Sequence, residues 1–84
     1  MSTRQAAGAT TADAEIGARI TEAIKNNNTD QKALSDSTGI AYATLRRSLT
    51  GGRSLTVREI TIIADALEIP AVTLLPVSLF QDAA

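Results

Sequence analysis

Two short amphipathic segments joined at one glycine constrain the fold of this chain more than any other feature. The stretch from 31 to 49 reads QKALSDSTGIAYATLRRSL, with Gly39 near its middle. Two short helices around such a turn form a helix-turn-helix, in which one helix supports a second. The segment is predicted to form this motif because apolar residues recur at helical spacing on both sides of the turn, at Leu34, Ile40, Leu45 and Leu49.

The composition favours a small helical domain and leaves few kinds of chemistry open. The 84 residues are 44% hydrophobic and include one Tyr and one Phe as the only aromatic residues, which suits packed helices. The chain has no cysteine and no histidine, so disulfides are excluded and the commonest general base and metal ligand are missing. Its carboxylates are scattered, and it has no Gly-rich phosphate loop. We expect no enzyme activity, no cofactor and no metal.

The sequence carries no signal for a membrane. No stretch approaches the ~18 consecutive apolar residues of a membrane span, and the N-terminus lacks the basic-then-apolar order of a signal peptide. A cytoplasmic protein is therefore the expectation.

The charges are distributed unevenly along the chain. The formal net charge is −1, yet residues 31–58 contain five basic residues against Asp36 alone. The remainder has three basic residues against eight acidic ones. A basic segment on an acidic body is typical of a localised contact with nucleic acid.

Five helices and three regions are expected along the chain. The first helix is predicted to begin at its N-cap, Asp13, and to end at the Asn26–Asn28 run; the second covers Asp30–Ser37, with Thr29 as its N-cap. The third covers Tyr42–Leu49. The fourth follows a T-x-x-E capping box of Thr56 and Glu59, and a short fifth helix covers Ala71–Leu75. Residues 1–12 are predicted to be a flexible arm, 13–76 the helical domain and 77–84 a tail.

The chain resembles the phage lambda repressor and Cro class, also called the Xre class, over about residues 16–76. The matching segments are IGARI, QKAL, TGI, TLRRSLTG and ADALEIPAVTLL, and SLTVREI is similar to small actinobacterial and actinophage regulators. The resemblance implies an all-α fold, a compact five-helix bundle of the lambda repressor-like type with a central helix-turn-helix. It also implies a transcriptional regulator that binds double-stranded DNA.

Three residues depart from the pattern of that family. Thr38 precedes the turn glycine where the family has an apolar residue, and Ala41 stands where the family caps the third helix with Ser or Thr. Leu49 stands where the family often has a Glu that pairs with an Arg of the first helix. Arg19 is therefore expected to lack its usual partner and to contact a phosphate.

The third helix carries the residues predicted to read DNA bases. Arg47 is the first candidate, because its guanidinium can bond two edge atoms of a guanine, worth ~1–3 kcal/mol of discrimination. Its alternative role is a phosphate contact. Tyr42 can touch a thymine methyl or bond a phosphate, and packing across the turn is the alternative. Ala41 and Ala43 offer only apolar contact, so DNA shape is expected to contribute to a modest specificity.

A second group of residues is predicted to contact the sugar-phosphate backbone. The resemblance assigns a phosphate anchor to the position of Gln31, at the start of the second helix, where free amides favour phosphate. Lys32 is equally well an ordinary exposed lysine. The predicted backbone contacts are Arg19, Gln31, Lys32, Thr44, Arg46, Arg53 and Ser54.

The apolar tail leaves the oligomeric state open. If Leu79 and Phe80 are exposed, they can pair two subunits through a self-complementary patch. Such a homodimer would place its reading helices ~34 Å apart and bind a palindromic operator. The alternative is a tail folded on its own domain.

Occupation of an operator by a Cro-like phage or prophage repressor is the leading functional interpretation. The alternatives are an antitoxin-type autoregulator, which also binds its own promoter, and a protein-interaction module that uses the same fold without DNA. A basic surface along the second and third helices favours the first two interpretations over the third.

Overall fold

Four α-helices and one 3-10 turn make up residues 11–76, the part of the chain that the computed structural model describes. The helices are α1 (Thr11–Asn26), α2 (Gln31–Thr38), α3 (Tyr42–Leu49) and α4 (Val57–Leu67), and the 3-10 turn is Ala71–Leu74. The all-α prediction is confirmed for these residues, but the five-helix count is not. None of these helices is both long enough and apolar enough to cross a membrane.

The predicted fifth helix is a single 3-10 turn because a proline stands on each side of it. Pro70 precedes the turn, and Pro76 follows its C-cap, Leu75. A residue before proline is pushed out of the helical region, and Leu75 is accordingly extended, with ψ 149°. The segment is too short to nucleate an α-helix between these limits.

Helix α1 includes the residue that was predicted to cap it. The helix already spans Thr11, so Asp13 lies in its first turn and the prediction of an N-cap at Asp13 is wrong. One face of the helix is apolar and points into the core, where Ile16, Ile20 and Ile24 are all buried. A carboxylate in the first turn still suits the positive end of the helix dipole.

The N-cap of α2 is Asp30 and not the predicted Thr29. Asp30 has extended backbone, and its side chain accepts a hydrogen bond from the amide of Ala33 at 2.8 Å. The aspartate is as good a cap as the threonine and stands one residue closer to the apolar position Leu34. The helix is therefore shifted by one residue from the predicted range.

The turn between α2 and α3 is closed by hydroxyl groups around the predicted glycine. Gly39 has φ 81°, the left-handed conformation that glycine adopts without strain. The Ser35 hydroxyl donates to the carbonyl of Ile40 at 2.6 Å. The Thr38 hydroxyl donates to the carbonyl of Leu34 at 2.8 Å and accepts from the amide of Ile40 at 3.2 Å. Thr38, which departs from the family pattern, thus stabilises the turn through its hydroxyl group.

Helix α4 begins as its capping box predicted. The Thr56 side chain accepts from the amide of Glu59 at 3.1 Å, and the Glu59 side chain accepts from the amide of Thr56 at 2.9 Å. At the other end, the Asn27 side chain donates to the carbonyl of Leu67 at 2.6 Å. The second contact connects the end of α1 to the end of α4, so both ends of α4 are held by specific hydrogen bonds.

One apolar core holds the two helices of the motif in place. Helix α3 packs against α1 and α2, and α4 packs against α2 and the 3-10 turn. The core residues are Ile16, Ile20, Ile24, Leu34, Leu45, Leu49, Ile60, Ile63, Ala64, Leu67 and Leu74.

Helix α1 approaches the end of α3 most closely at Gly17. A methyl group at Gly17 would lie within 3.0 Å of the Leu49 carbonyl carbon and the Ser48 carbonyl oxygen. The missing side chain is therefore what lets the two backbones touch, and it fixes α3 against α1.

Several predictions fall on parts of the chain outside the described residues. These are the greater part of the N-terminal arm, up to residue 10, and the tail from residue 77. The candidate dimerisation residues Leu79 and Phe80 belong to the second part.

Candidate nucleic-acid interface

Helix α3 presents one polar, solvent-exposed face and buries the other. Leu45, Ser48 and Leu49 are buried in the domain. Tyr42, at the first position of the helix, is 44% exposed, which favours its availability over packing across the turn. The other exposed residues of this segment are Ala41, Ala43, Arg46, Arg47 and Thr50. All the predicted base-reading residues are thus solvent-exposed, three of them on α3 itself and Ala41 at its N-cap.

A shallow depression runs along this face of α3. It is lined by Ala43, Arg46, Arg47 and Thr50. Ala43 contributes only a methyl group to this surface, beside the two arginines. A surface with this shape and charge can approach a groove edge closely while two guanidinium groups reach bases or phosphates.

The start of α2 is less open to a phosphate than the sequence suggested. Gln31 is half-buried and Lys32 is exposed, so both can contribute at this end. However, the Asp30 carboxylate takes the amide of Ala33 and adds a negative charge beside the helix dipole. A bound phosphate would meet that charge. The arrangement makes the N-terminus of α2 a compromise between helix stability and anion binding.

Arg53 is engaged inside the protein, which the sequence analysis did not predict. Its Nη1 donates to the Ser48 hydroxyl at 2.7 Å, and its Nη2 donates to a carboxylate oxygen of Glu59 at 2.9 Å. The side chain of Arg53 is half-buried, and the two contacts join the last turn of α3 to the first turn of α4. The Arg53 side chain is therefore bonded within the protein, whereas the predicted phosphate contact suggested a fully solvent-exposed side chain.

The loop after α3 is also held against α1 by Ser54. The Ser54 hydroxyl donates to the Asp13 carboxylate at 2.8 Å. In α3, half-buried Thr44 accepts a hydrogen bond from the Ser48 hydroxyl through its backbone carbonyl, at 3.1 Å. Thr44 lies on α3 itself, whereas the Ser54 hydroxyl already has a partner in the folded protein.

Arg19 has an acidic partner within its own helix, although Leu49 stands at the position of its usual family partner. Its guanidinium pairs with Glu15 at 2.9 Å, one helical turn earlier in α1. Arg19 also lines a concavity of about 530 Å³ that is formed by α1, the end of α4 and the 3-10 turn, without any residue of α2 or α3. Arg19 therefore faces a different part of the surface from the arginines of α3. The i, i+4 spacing of Glu15 and Arg19 was the signal available in the sequence.

The positive charge around α3 is smaller than the residue count alone indicates. Arg53 is neutralised locally by Glu59, whereas Lys32, Arg46, Arg47 and Arg58 are exposed. Two of these four basic residues lie on the exposed face of α3.

Within residues 11–76 there is no group of three acidic side chains placed to hold a metal ion.

The ion pair of Arg53 and Glu59 makes the stability of the domain depend on pH. The hydrogen bond from Arg53 is the main cause that holds the pKa of Glu59 below its ordinary value of 4.5, and the amide of Thr56 adds to it. Because the folded-state pKa is the lower one, the ionised carboxylate stabilises the fold above pH 4.5, and this contribution is lost as the pH falls through the folded-state pKa.

We therefore expect the free energy of unfolding to fall more steeply with acid in the wild type than in Glu59→Gln. Urea unfolding followed by circular dichroism, at a series of acidic pH values, measures both curves. The comparison isolates Glu59 because all other carboxyl groups are shared. Identical slopes for the two proteins would show that the ion pair does not stabilise the fold.

Comparison with known proteins identifies a solved structure of similar fold. The crystal structure of the restriction-modification controller protein C.AhdI from Aeromonas hydrophila superimposes with a TM-score of 0.70. The match covers 73% of this chain and 92% of that chain, at 23% sequence identity. No family model and no curated protein matches the sequence. The described chain is therefore similar to that protein in its helical fold.

Proposed function

We propose that this protein is a transcriptional regulator that binds double-stranded DNA through α2 and α3. The observation that carries the proposal is the exposed face of α3, with Tyr42, Arg46 and Arg47 on one side of a helix whose other side is buried. The preceding turn at Gly39 holds α3 across α2, as in a helix-turn-helix. The fold shared with a controller protein supports the same function.

The roles of individual residues follow from their exposure. Arg47 reads a base edge in the major groove, and Tyr42 contacts a thymine methyl or a phosphate. Ala41 and Ala43 let α3 lie close to the bases. Arg46, Lys32, Gln31, Thr44 and Ser54 contact the backbone and set the position of the protein on the duplex. Arg19 is omitted from this interface because of its pairing with Glu15.

The biological setting has two candidates. The resemblance to Cro-like repressors favours a phage or prophage repressor that occupies an operator, as a homodimer on a palindrome. The structural likeness to a restriction-modification controller favours a regulator of that kind of system. In either setting the proposed function is binding to an operator, so the genes beside the bound site distinguish the two candidates.

A titration followed by NMR tests the proposed interface directly. A random-sequence duplex of about 20 base pairs is added to labelled protein at low salt, where non-specific binding is strong. We expect amide shifts at residues 31–32 and 41–47 and none around the concavity at Ala23 and Asn27. Shifts centred on the concavity, or no binding at all by a folded protein, would contradict the proposal.

Asp30→Asn is expected to strengthen DNA binding without weakening the fold. Asparagine caps a helix about as well as aspartate, so stability should change by only a few tenths of a kcal/mol. The change removes the negative charge beside the proposed phosphate contact, and we expect roughly threefold tighter binding at low salt. Fluorescence anisotropy with a labelled duplex measures the affinity. Asp65→Asn, at an exposed position of α4, is the matched control, and an equal gain there would refute a local effect at α2.

A further inference from the structure

We infer that Arg53 is a positioning residue, which sets how α3 is presented to DNA by tying its last turn to the start of α4. The inference rests on the proposed function for its consequence in DNA binding. It differs from the phosphate contact that the sequence suggested for Arg53. In that role the guanidinium would face a phosphate; here it faces two groups of the protein itself.

The connection to α3 passes through Ser48, the one buried polar residue in the core of the described chain. Ser48 has 0% exposure, and its hydroxyl donates to the Thr44 carbonyl at 3.1 Å. The same oxygen accepts from Arg53 at 2.7 Å. The hydroxyl thus bridges the α3 backbone and Arg53, and it loses the hydrogen bond that it accepts if Arg53 moves away.

The connection to α4 passes through Glu59, whose position is fixed independently. One oxygen of this carboxylate accepts from the amide of Thr56 at 2.9 Å, within the capping box. The other accepts from Arg53 at 2.9 Å. Next to it in α4, Ile60 is buried in the core, so Glu59 is a rigid anchor for the arginine. Arg53 thus transmits the position of α4 to the last turn of α3.

Only an arginine can make this connection at residue 53. Two different nitrogens of the planar guanidinium reach Ser48 and Glu59. Lysine presents one compact ammonium group on a flexible stem and cannot reproduce the fork. A phosphate contact, in contrast, needs mainly a positive charge. Lysine at position 53 therefore separates the two roles.

The test compares four variants on a preferred duplex and on a scrambled duplex across a range of salt. Three variants remove the connection: Arg53→Gln, Arg53→Lys and Ser48→Ala. The control is Arg58→Gln, which removes one positive charge at an exposed position of α4. We expect the first three to bind the preferred duplex about tenfold more weakly and the scrambled duplex almost unchanged, with an unaltered salt dependence. A phosphate contact instead predicts weaker binding to both duplexes, a salt slope lower by about 1 and rescue by lysine. That result would overturn the inference.

Amide hydrogen exchange in the free protein gives a second reading that does not require DNA. Arg53→Gln should raise exchange rates in the last turn of α3, at Ser48 and Leu49, while α1 around Ile20 stays protected. Unchanged protection of α3 would overturn the positioning role whatever the DNA result. If Arg53→Gln loses protection in α3 but the wild-type protein prefers no duplex, the proposed function is refuted and the positioning role of Arg53 still holds.

Discussion

Gly17→Ala is expected to lower the free energy of unfolding by about 2 kcal/mol, although alanine is the better helix former. Alanine gains about 1 kcal/mol of helix propensity over glycine in a helix interior. The added methyl would meet the backbone of Ser48 and Leu49 within 3.0 Å, and backbone cannot move aside as a side chain can. Separating α1 from α3 to make room costs about 3 kcal/mol, the upper end for overpacking, because two backbones must move apart; the net loss is then about 2 kcal/mol.

Thermal unfolding measures this effect, with Gly52→Ala as the matched control. A loss of this size should lower Tm by roughly 10 °C in a domain of this length. A methyl group added at exposed Gly52 would lie 3.5 Å from the Arg47 carbonyl oxygen, an ordinary van der Waals contact, so this substitution should leave Tm almost unchanged. A Gly17→Ala variant as stable as the wild type would contradict the close approach of α1 and α3.

Arg47→Ala is expected to abolish most of the discrimination between a preferred duplex and a scrambled one. A bidentate contact between arginine and guanine is worth about 1–3 kcal/mol, which is roughly a 10- to 100-fold preference. The Arg47 side chain is exposed beside Ala43 and has no role in the core, so the fold should be unaffected. Anisotropy titrations with both duplexes give the ratio of affinities.

Arg46→Ala distinguishes base reading from general charge. Arg46 is equally exposed on the same helix and is proposed to contact the backbone. Its removal should weaken binding to both duplexes alike and lower the salt slope by about 1. If Arg46→Ala and Arg47→Ala had the same effect on discrimination, Arg47 would not be the residue that reads bases.

The helix-turn-helix was largely predictable because local signals determine it. The left-handed turn at Gly39 and the capping box at Thr56 depend on residues a few positions apart, and both were predicted correctly. The range of α3 was predicted for the same reason. Competing caps at adjacent positions, Thr29 and Asp30, are harder to separate, since both residue types cap well.

The internal roles of the basic residues were less predictable because they depend on tertiary contacts. The hydrogen bonds from Arg53 to Ser48 and Glu59 require α3 and α4 to meet at a particular angle. Gly17 carries no local signal for its contact with α3 across the core. The pair of Glu15 and Arg19 could be predicted from their i, i+4 spacing alone. The family pattern instead places the partner of this arginine at position 49, where this chain has Leu49.

In-vitro selection from a library of random duplexes, at moderate salt, tests the central claim most directly. The account predicts that wild-type protein enriches a defined sequence and that Arg47→Ala does not. Enrichment of a palindrome with half-sites about one helical turn apart would support the proposed dimer, and a single short site would indicate a monomer. If the folded wild-type protein enriches no sequence, it is not a sequence-specific DNA-binding regulator.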